Sequence, residues 1–455
     1  MKGMTIRRAA EICAGRLTRE DQAERELRHV VIDSRAVEPG DLFVAYRGER
    51  TDGHDYMDSA FRHGAACCLA QRLPEGVDGP CILVETVQQA LEAIATAYRT
   101  ELTMPIIGIT GSVGKTSAKE MIASVLSRRF RVLKTEGNLN NQIGVPMTLS
   151  RIGSEHQAAV VEMGISGFGE MRELARMARP DLAVFTVIGH AHLEFLHDLE
   201  GVLRAKTEML EFMPEDAPVI VNGDDPLLMA LDCRQNKISV GLGEGCLIRA
   251  EELRIDEEGR TACSIVYQQR RVPARISAFG RHMVYAALEG AAVGFLMGLS
   301  DEEIAAGISD FAPVGRRSAV TRAGGLTLID DCYNANPDSV KSGVDSVAAL
   351  PGRHLCILGD MLELGEEGPA LHRESGRYAR EHGMDAVWTC GELGAEIAAG
   401  AGEVGRHFES ADALIAALPE LLAQGGTLLV KASRGMRFER ISEAVKTLMN
   451  GEDTE

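Results

Sequence analysis

Residues 105–116 read Pro-Ile-Ile-Gly-Ile-Thr-Gly-Ser-Val-Gly-Lys-Thr, and few local structures are open to such a stretch. Its first half is a short apolar run rich in β-branched residues, which suits a buried strand. Its second half is a glycine-rich turn closed by Gly114, Lys115 and Thr116. A helical pattern starts at once, with Ala118, Met121, Ile122, Val125 and Leu126 on one face. Strand, glycine loop and helix are the context of a phosphate-binding loop, where backbone N–H groups converge on phosphate oxygens at a helix N-terminus. The candidate nucleotide-binding residues are Thr110, Gly111, Ser112, Val113, Gly114, Lys115, Thr116 and Ser117. Lys115 can reach the β- and γ-phosphates, and the Thr116 hydroxyl can ligate Mg2+. The form is Thr-Gly-x-x-Gly-Lys-Thr and not the strict Walker pattern, because Ile109 stands where that pattern has its first glycine. An ordinary glycine turn before a helix explains the glycines but not the Lys-Thr pair.

At 455 residues the chain exceeds one ordinary domain. The pattern of elements gives an α/β fold in three parts. Residues 1–84 form a small N-terminal α/β domain, and a helix within 85–104 connects it onward. Residues 105–312 form a central P-loop-type domain with a mostly parallel sheet and an added β region at about 237–277. Residues 313–455 form a C-terminal doubly wound α/β domain, with strands expected at 326–330, 354–359, 385–390 and 427–432. A continuous helix is expected from Leu199 to Phe212.

A net charge of −19 argues against non-specific nucleic-acid binding and against docking on anionic membrane. No apolar run approaches the roughly 18–20 residues of a membrane span, and Met1–Leu17 lacks the apolar core of a signal peptide. The ten cysteines include no C-x-x-C, which reads as reduced thiols and a cytoplasmic location. Asn450–Glu455 reads as a disordered tail.

Several other positions carry possible chemistry, each with a plainer alternative. Arg35, Arg47 and His54 stand at strand or turn ends where side chains can converge on an anionic ligand; exposed surface polarity explains them as well. Asn138, Asn140 and Asn141 crowd a short loop whose amides can grip a polar substrate, or simply make turns. Glu162 ends a strand beside the P-loop strand, where a second Mg2+ ligand would sit, although a lone strand-end carboxylate is usually solvated. His192 follows another strand, and Lys206 lies in a helix where the default is a solvated or ion-paired lysine. Asp330, Asp331 and Asn334 cluster after a strand in a way that suits a ribose or base edge. Asn336 followed by Pro337 has a local reason as a helix cap.

Taken in order, Thr-Gly-Ser-Val-Gly-Lys-Thr, Gly-Asn-Leu-Asn-Asn-Gln-Ile-Gly-Val-Pro, Val-Glu-Met-Gly, Ala-His-Leu-Glu, Ala-Lys-Thr-Glu and Tyr-Asn-Ala-Asn-Pro-Asp-Ser resemble the Mur ligases of bacterial cell-wall synthesis. The resemblance spans about Asp33 to Arg437. It implies an ATP-dependent amide ligase acting through an acyl phosphate, with UDP-N-acetylmuramoyl-tripeptide and D-alanyl-D-alanine as substrates, and a monomer. It implies that Gly111–Thr116 holds ATP phosphates and Thr116 the Mg2+ between them. Glu162, His192 and Lys206, the last carbamylated, would serve a second Mg2+. Lys115, His192 and Lys206 become the catalytic candidates. Asn336 would contact adenine, and Arg316 and Asp331 the rest of the nucleotide. Ser34 and Arg35, with Arg47, would face the UDP part, and Asn138, Asn140 and Asn141 the muramoyl-peptide. The chain departs from the family's usual residues at Val187 and at His197-Asp198. The other readings are a related folylpolyglutamate-type or amino-acid-adding ligase, where Asp33-Ser34-Arg35 argues for a UDP-sugar and not a folate, and a P-loop ATPase switch without product.

Overall fold

Three sheets organise the chain, and each is built on apolar runs that the pleat buries on both faces. The computed structural model describes residues 1–48 and 51–451. The tail expected to be disordered reaches past 451, outside the described residues.

The first sheet has five strands in the order Arg16–Leu17, Cys81–Leu83, Cys67–Ala70, Leu42–Val44 and Val30–Val31, parallel except for the first pair. Its core includes Met4, Ile6, Leu42, Leu69 and Ile82, and it is completed by Leu91, Ile94 and Tyr98 of the helix Val87–Arg99. The helix expected only to connect domains is thus part of the first core. It also ties that domain to the next. Arg99 donates to the carbonyls of Ala178 (2.7 Å), Leu102 (3.0 Å) and Arg179 (2.9 Å) and to the Asp181 carboxylate (2.9 Å). The same carboxylate accepts the Ile106 N–H at 2.8 Å, at the start of the P-loop strand.

The central sheet has nine strands. Its parallel part runs Val132–Lys134, Ala158–Glu162, Ile106–Thr110, Leu182–Phe185, Pro218–Asn222 and Asn236–Gly241, and Ile248–Ile255 joins in parallel. The added β region is real: Ile248–Ile255, Arg260–Tyr267 and Arg270–Phe279 pair antiparallel. Arg270–Phe279 alternates buried and exposed residues, as a strand with one wet face must. The P-loop strand lies between Ala158–Glu162 and Leu182–Phe185. The loops after these three strands therefore open on one crevice at their C-terminal ends.

The third sheet has six strands in the order Ala319–Ala323, Leu326–Asp330, Gly426–Lys431, His354–Gly359, Ala386–Cys390 and Gly405–Phe408, antiparallel only in the first pair. The four expected strands are present to within a residue. The two missed ones are the edges, where partial exposure removes the continuous apolar run. The helix expected from Leu199 to Phe212 is α-helical over Leu199–Thr207 and tightens to a 3₁₀ turn over Glu208–Phe212.

Candidate active site

A cavity of about 1210 Å³ opens between the central and C-terminal domains, and the P-loop forms part of its wall. The loop's shape depends on two glycines. Gly111 and Gly114 have φ of +151° and +88°, and a Cβ on Gly111 would lie 2.0 Å from Thr186 Oγ1. No other residue type fits at Gly111. Lys115 folds back over the loop and donates to the Gly111 carbonyl at 2.7 Å. Burial holds its ammonium below the usual lysine range; Glu162 opposes that shift and Arg317 adds to it.

Glu162, only 2% exposed, ends its strand facing the loop. Its carboxylate accepts from Thr116 Oγ1 at 3.0 Å and Asn140 Nδ2 at 2.8 Å, and Lys119 Nζ lies 3.6 Å away. Lys119, fully buried, was not anticipated; a lysine inside an amphipathic helix gives no sequence signal that it turns inward. A hydroxyl and a carboxylate side by side are hard oxygen donors of the kind Mg2+ takes, with phosphates and water completing its shell. Among the described residues, no three His, Cys, Asp or Glu side chains are gathered into a metal cluster.

His192 sits in the left-handed region at φ 57° before the short helix Leu193–Leu196. Its Nδ1 lies 2.5 Å from Glu363 Oε2 of the C-terminal domain. Burial lowers its pKa, against the pull of the Glu363 charge. Lys206 is 1% exposed in the helix Leu199–Thr207. Its ammonium has no hydrogen bond or ion pair among the described residues, and burial, aided by the charge of Lys115, drives it well below the usual lysine range. It does not itself line the cavity, though its charge acts on His192, which does.

Asn138, Asn140 and Asn141 all line the cavity. Two of them also hold the structure. Asn140 bonds Glu162, and Asn141 Oδ1 accepts the N–H groups of Ile143 (3.2 Å) and Gly144 (2.9 Å) at the start of the helix Gly144–Ser150.

From the C-terminal domain, Asp331 accepts the Ser318 N–H at 3.0 Å and the Lys431 ammonium at 2.5 Å. Asn336 lines the cavity, but its side chain caps the helix Pro337–Ala348, accepting the Ser339 N–H at 2.9 Å. Arg316 does not reach the cavity. Its guanidinium pairs with buried Asp330 at 2.9 Å and with Glu443 at 2.5 Å. Its neighbour Arg317 lines the cavity instead, 3.9 Å from the ring centre of Tyr333, and Arg434 donates to the Tyr333 hydroxyl at 3.1 Å. The resemblance points to Arg316; the chain bends through residues 315–318, and the arginine that faces the cavity is the next one, Arg317.

Polar contacts bridge the domains across the cavity's rim, among them the Glu194 N–H donating to the Glu363 carbonyl at 3.2 Å. Asp338 accepts the His190 N–H at 2.6 Å, besides the His192–Glu363 contact. The pairing with Asp338 raises the His190 pKa.

The first-domain candidates stand apart from this cavity. Ser34 is buried, and Arg35 forms a two-pronged pair with Asp33 at 2.9 and 2.7 Å that pulls the carboxyl down to about 2. Arg47 is exposed and bridges to Asp52 through backbone. His54 is a buried structural group, with Nε2 accepting the Gln71 N–H at 3.0 Å and Nδ1 2.6 Å from Asp52.

Residues 26–100, 109–294 and 315–434 match, respectively, the Mur ligase family catalytic domain, the Mur ligase middle domain and the Mur ligase glutamate ligase domain. The UDP-N-acetylmuramoyl-tripeptide–D-alanyl-D-alanine ligase of Bacillus subtilis is 37% identical over 96% of this chain and 97% of its own. That of Escherichia coli is 34% identical over 98% of this chain and 99% of its own. Among solved structures, MurF from Acinetobacter baumannii superposes with a TM-score of 0.90 at 28% identity, covering 98% of each chain. The MurF ligase of Thermotoga maritima in complex with ADP gives 0.83 at 27% identity, covering 94% of this chain and 99% of the other.

Proposed function

The chain belongs to the Mur ligase family, and we propose that its interdomain cavity is where D-alanyl-D-alanine is joined to UDP-N-acetylmuramoyl-tripeptide. The chain is an ATP-dependent ligase that makes the UDP-muramoyl-pentapeptide precursor of peptidoglycan. The observation that carries the placement is the cavity itself. It sets the P-loop and the asparagine loop on one wall and Arg317, Asp331 and Lys431 on the other. A nucleotide, a carboxylate and an amine can meet there.

In the first step a carboxylate oxygen of the tripeptide attacks the γ-phosphorus of ATP. The new P–O bond makes an acyl phosphate, and the bond to the β-phosphate oxygen breaks to release ADP. In the second step the dipeptide amine attacks the acyl carbon, loses a proton, and phosphate leaves. The residues assist by position and charge. N–H groups of the loop from Gly111 cradle the β-phosphate. Lys115, swung from the Gly111 carbonyl, meets charge on the β- and γ-oxygens. Arg317 faces the same phosphates from the C-terminal domain. Asn138 and Asn140 orient the peptide. Closure of the two walls keeps out water that would hydrolyse an acyl phosphate.

Thr116 and Glu162 suit Mg2+, which when bound neutralises phosphate charge and polarises the transferred group. A second Mg2+ would rest on Glu162 and His192. Lys206 fits carbamylation because a buried amine without a counter-ion is held neutral and nucleophilic, ready to add CO2. Ser34, Arg35 and Arg47 lie on the domain that takes the UDP-sugar on this reading, residues 1–84, with 85–104 linking to the ATP-binding part at 105–312 and the closing part at 313–455. The enzyme works as a cytoplasmic monomer without nucleic acid; no helix among the described residues is long and apolar enough to cross a membrane.

The test is phosphate release from ATP and Mg2+ with both acceptors, omitting each in turn. Release that needs both, with a pentapeptide product by mass, is expected. Release indifferent to the acceptors would overturn the reading.

A further inference from the structure

The chain carries 67 acidic and 48 basic side chains, so a cation beside a cavity ordinarily finds a carboxylate. Among the cavity's lysines and arginines only Lys431 does so within the described residues, pairing with Asp331 at 2.5 Å. On the ligase reading Lys115 and Arg317 meet the phosphates of ATP. Arg434 is left over. It is exposed on the 3₁₀ turn Arg434–Met436, which follows the strand Gly426–Lys431. That strand lies between Leu326–Asp330 and His354–Gly359, and the C-terminal ends of such inner strands face the ligand crevice. The guanidinium is held in place but not neutralised. It donates to the Tyr333 hydroxyl at 3.1 Å and lies 5.2 Å from the ring centre. Arg317 covers the same ring at 3.9 Å. Holding two like charges on one ring is unfavourable until anions join them. A chain of contacts leads from Arg434 back toward the P-loop wall. Ser433 Oγ accepts the Leu362 N–H at 2.9 Å, and a Cβ on Gly435 would lie 3.0 Å from Leu362 Cδ1. The next residue, Glu363, touches His192. Leu362 itself lines the cavity and is 48% exposed, an apolar side chain left bare beside the arginine.

We propose that Arg434 is a specificity-determining residue that binds the terminal carboxylate of D-alanyl-D-alanine. This rests on the ligase reading for the identity of the second acceptor. A guanidinium presents parallel N–H donors that match the two oxygens of a carboxylate. One of its nitrogens serves Tyr333, which fixes the group and leaves the other donors free. The dipeptide has the complementary make-up, with one carboxylate, one amine and two methyl groups. With the carboxylate on Arg434, the methyls meet Leu362 and the Tyr333 ring. An extended dipeptide spans about 7 Å, so its amine points along Leu362 and Glu363 toward His192 and the P-loop wall. The other anions of the reaction are provided for elsewhere. The P-loop, Lys115 and Arg317 serve the ATP phosphates, and Asn138 and Asn140 orient the tripeptide on the opposite wall. The carboxylate that comes to the C-terminal wall is therefore that of the dipeptide.

The experiment measures initial rates of phosphate release with ATP, Mg2+ and UDP-muramoyl-tripeptide, offering D-alanyl-D-alanine or its C-terminal amide. The wild type is compared with Arg434→Ala and Arg434→Lys. Arg434 is exposed and its side chain makes a single hydrogen bond, so both variants should melt as the wild type does. The wild type should favour the carboxylate over the amide by roughly tenfold to a hundredfold in kcat/KM, as hydrogen bonds to a charged group imply. Arg434→Ala should lose that ratio through KM for the dipeptide, with KM for ATP and for the tripeptide unchanged. Arg434→Lys keeps the charge without the fork and should keep part of the ratio. A wild type indifferent to the amide, an Arg434→Ala ratio equal to that of the wild type, or a change confined to KM for ATP or the tripeptide would overturn the proposal while the ligase reading stood. Phosphate release that needs no dipeptide of either kind would overturn both.

Discussion

Lys115→Ala separates the chemistry of the cavity from its architecture. In the structure the ammonium makes one hydrogen bond, to the Gly111 carbonyl at 2.7 Å. The net worth of such a bond is about 1 kcal/mol, and part of that is offset by removing a cation that burial disfavours. The folded state should hardly notice the change. The transition state should notice it strongly. A unit charge about 4 Å from a phosphoryl oxygen, at an effective dielectric near 20, contributes about 4 kcal/mol. That corresponds to roughly a thousandfold in kcat/KM for ATP. The assay is initial-rate phosphate release with both acceptors, beside thermal unfolding and calorimetric binding of UDP-muramoyl-tripeptide. We expect an unchanged melt, unchanged binding of the UDP-sugar by the first domain, and a loss of about three orders of magnitude in rate. A folded variant within about tenfold of wild-type kcat/KM would refute the argument, because no charge of that size could then be acting on the phosphates.

The two adjacent arginines should divide in the same way. Arg317→Ala should lower kcat by roughly a hundredfold, as loss of a charge donor to the transferring group does, with little change in stability. Arg316→Ala should instead destabilise the C-terminal domain by about 1–2 kcal/mol, since buried Asp330 loses one of its two cations and keeps Lys446 at 3.1 Å; urea unfolding beside kinetics distinguishes them. Arg99→Ala leaves three carbonyls and Asp181 short of a donor, and should lower unfolding stability by about 3–5 kcal/mol, read as a shift in urea midpoint at constant slope. Glu289 is buried in the helix Met283–Leu296, which packs on the P-loop helix, and burial lifts its folded pKa to about 8, above the unfolded value of about 4.3. Folding therefore takes up a proton between these values, and stability relative to Glu289→Gln is present below pH ~4.3 and lost as pH rises to about 8. The loss is up to about 5 kcal/mol by linkage. Equal pH profiles for the two proteins between pH 5 and 9 would contradict it.

The sequence announced the strands whose residues are buried on both faces, because a run such as Ile106–Thr110 leaves no other use for five apolar or small residues in a row. Edge strands such as Gly405–Phe408 escaped, since partial exposure mixes polar residues into the pattern. The P-loop was legible because its glycines and its Lys-Thr pair answer one local need. The opposing wall was not. Which of Arg316 and Arg317 turns inward is decided by Asp330 and Glu443, one on a neighbouring strand and the other on a distant helix. Glu289 gave no signal at all; a glutamate in a helix reads as solvated, and only the packing of that helix on the P-loop helix buries it. The asparagines at 140 and 141 stood out as a ligand loop, and the fold uses both to hold its own backbone and Glu162.

These double uses have a common physical cause. The cavity belongs to neither domain alone, so each wall must remain stable while the other is absent. Asn336 caps its own helix, Asp331 pairs with Lys431 of its own domain, and Glu162 is satisfied by Thr116 and Asn140. One contact that crosses between the domains is different in kind. His192 and Glu363 both sit at positive φ, 57° and 64°, and they touch each other. Left-handed backbone costs about 1–2 kcal/mol at a residue that carries a Cβ, so the crossing pair holds strain that its own contact helps to offset. A rim held this way is poorly stabilised when the walls part. Interfaces between domains of one chain are by default free to move, and a ligand that touches both walls favours the closed arrangement by its differential affinity. A nucleotide gripped by the P-loop on one side and Arg317 on the other is such a ligand. The grip supplies the water exclusion that an acyl phosphate requires.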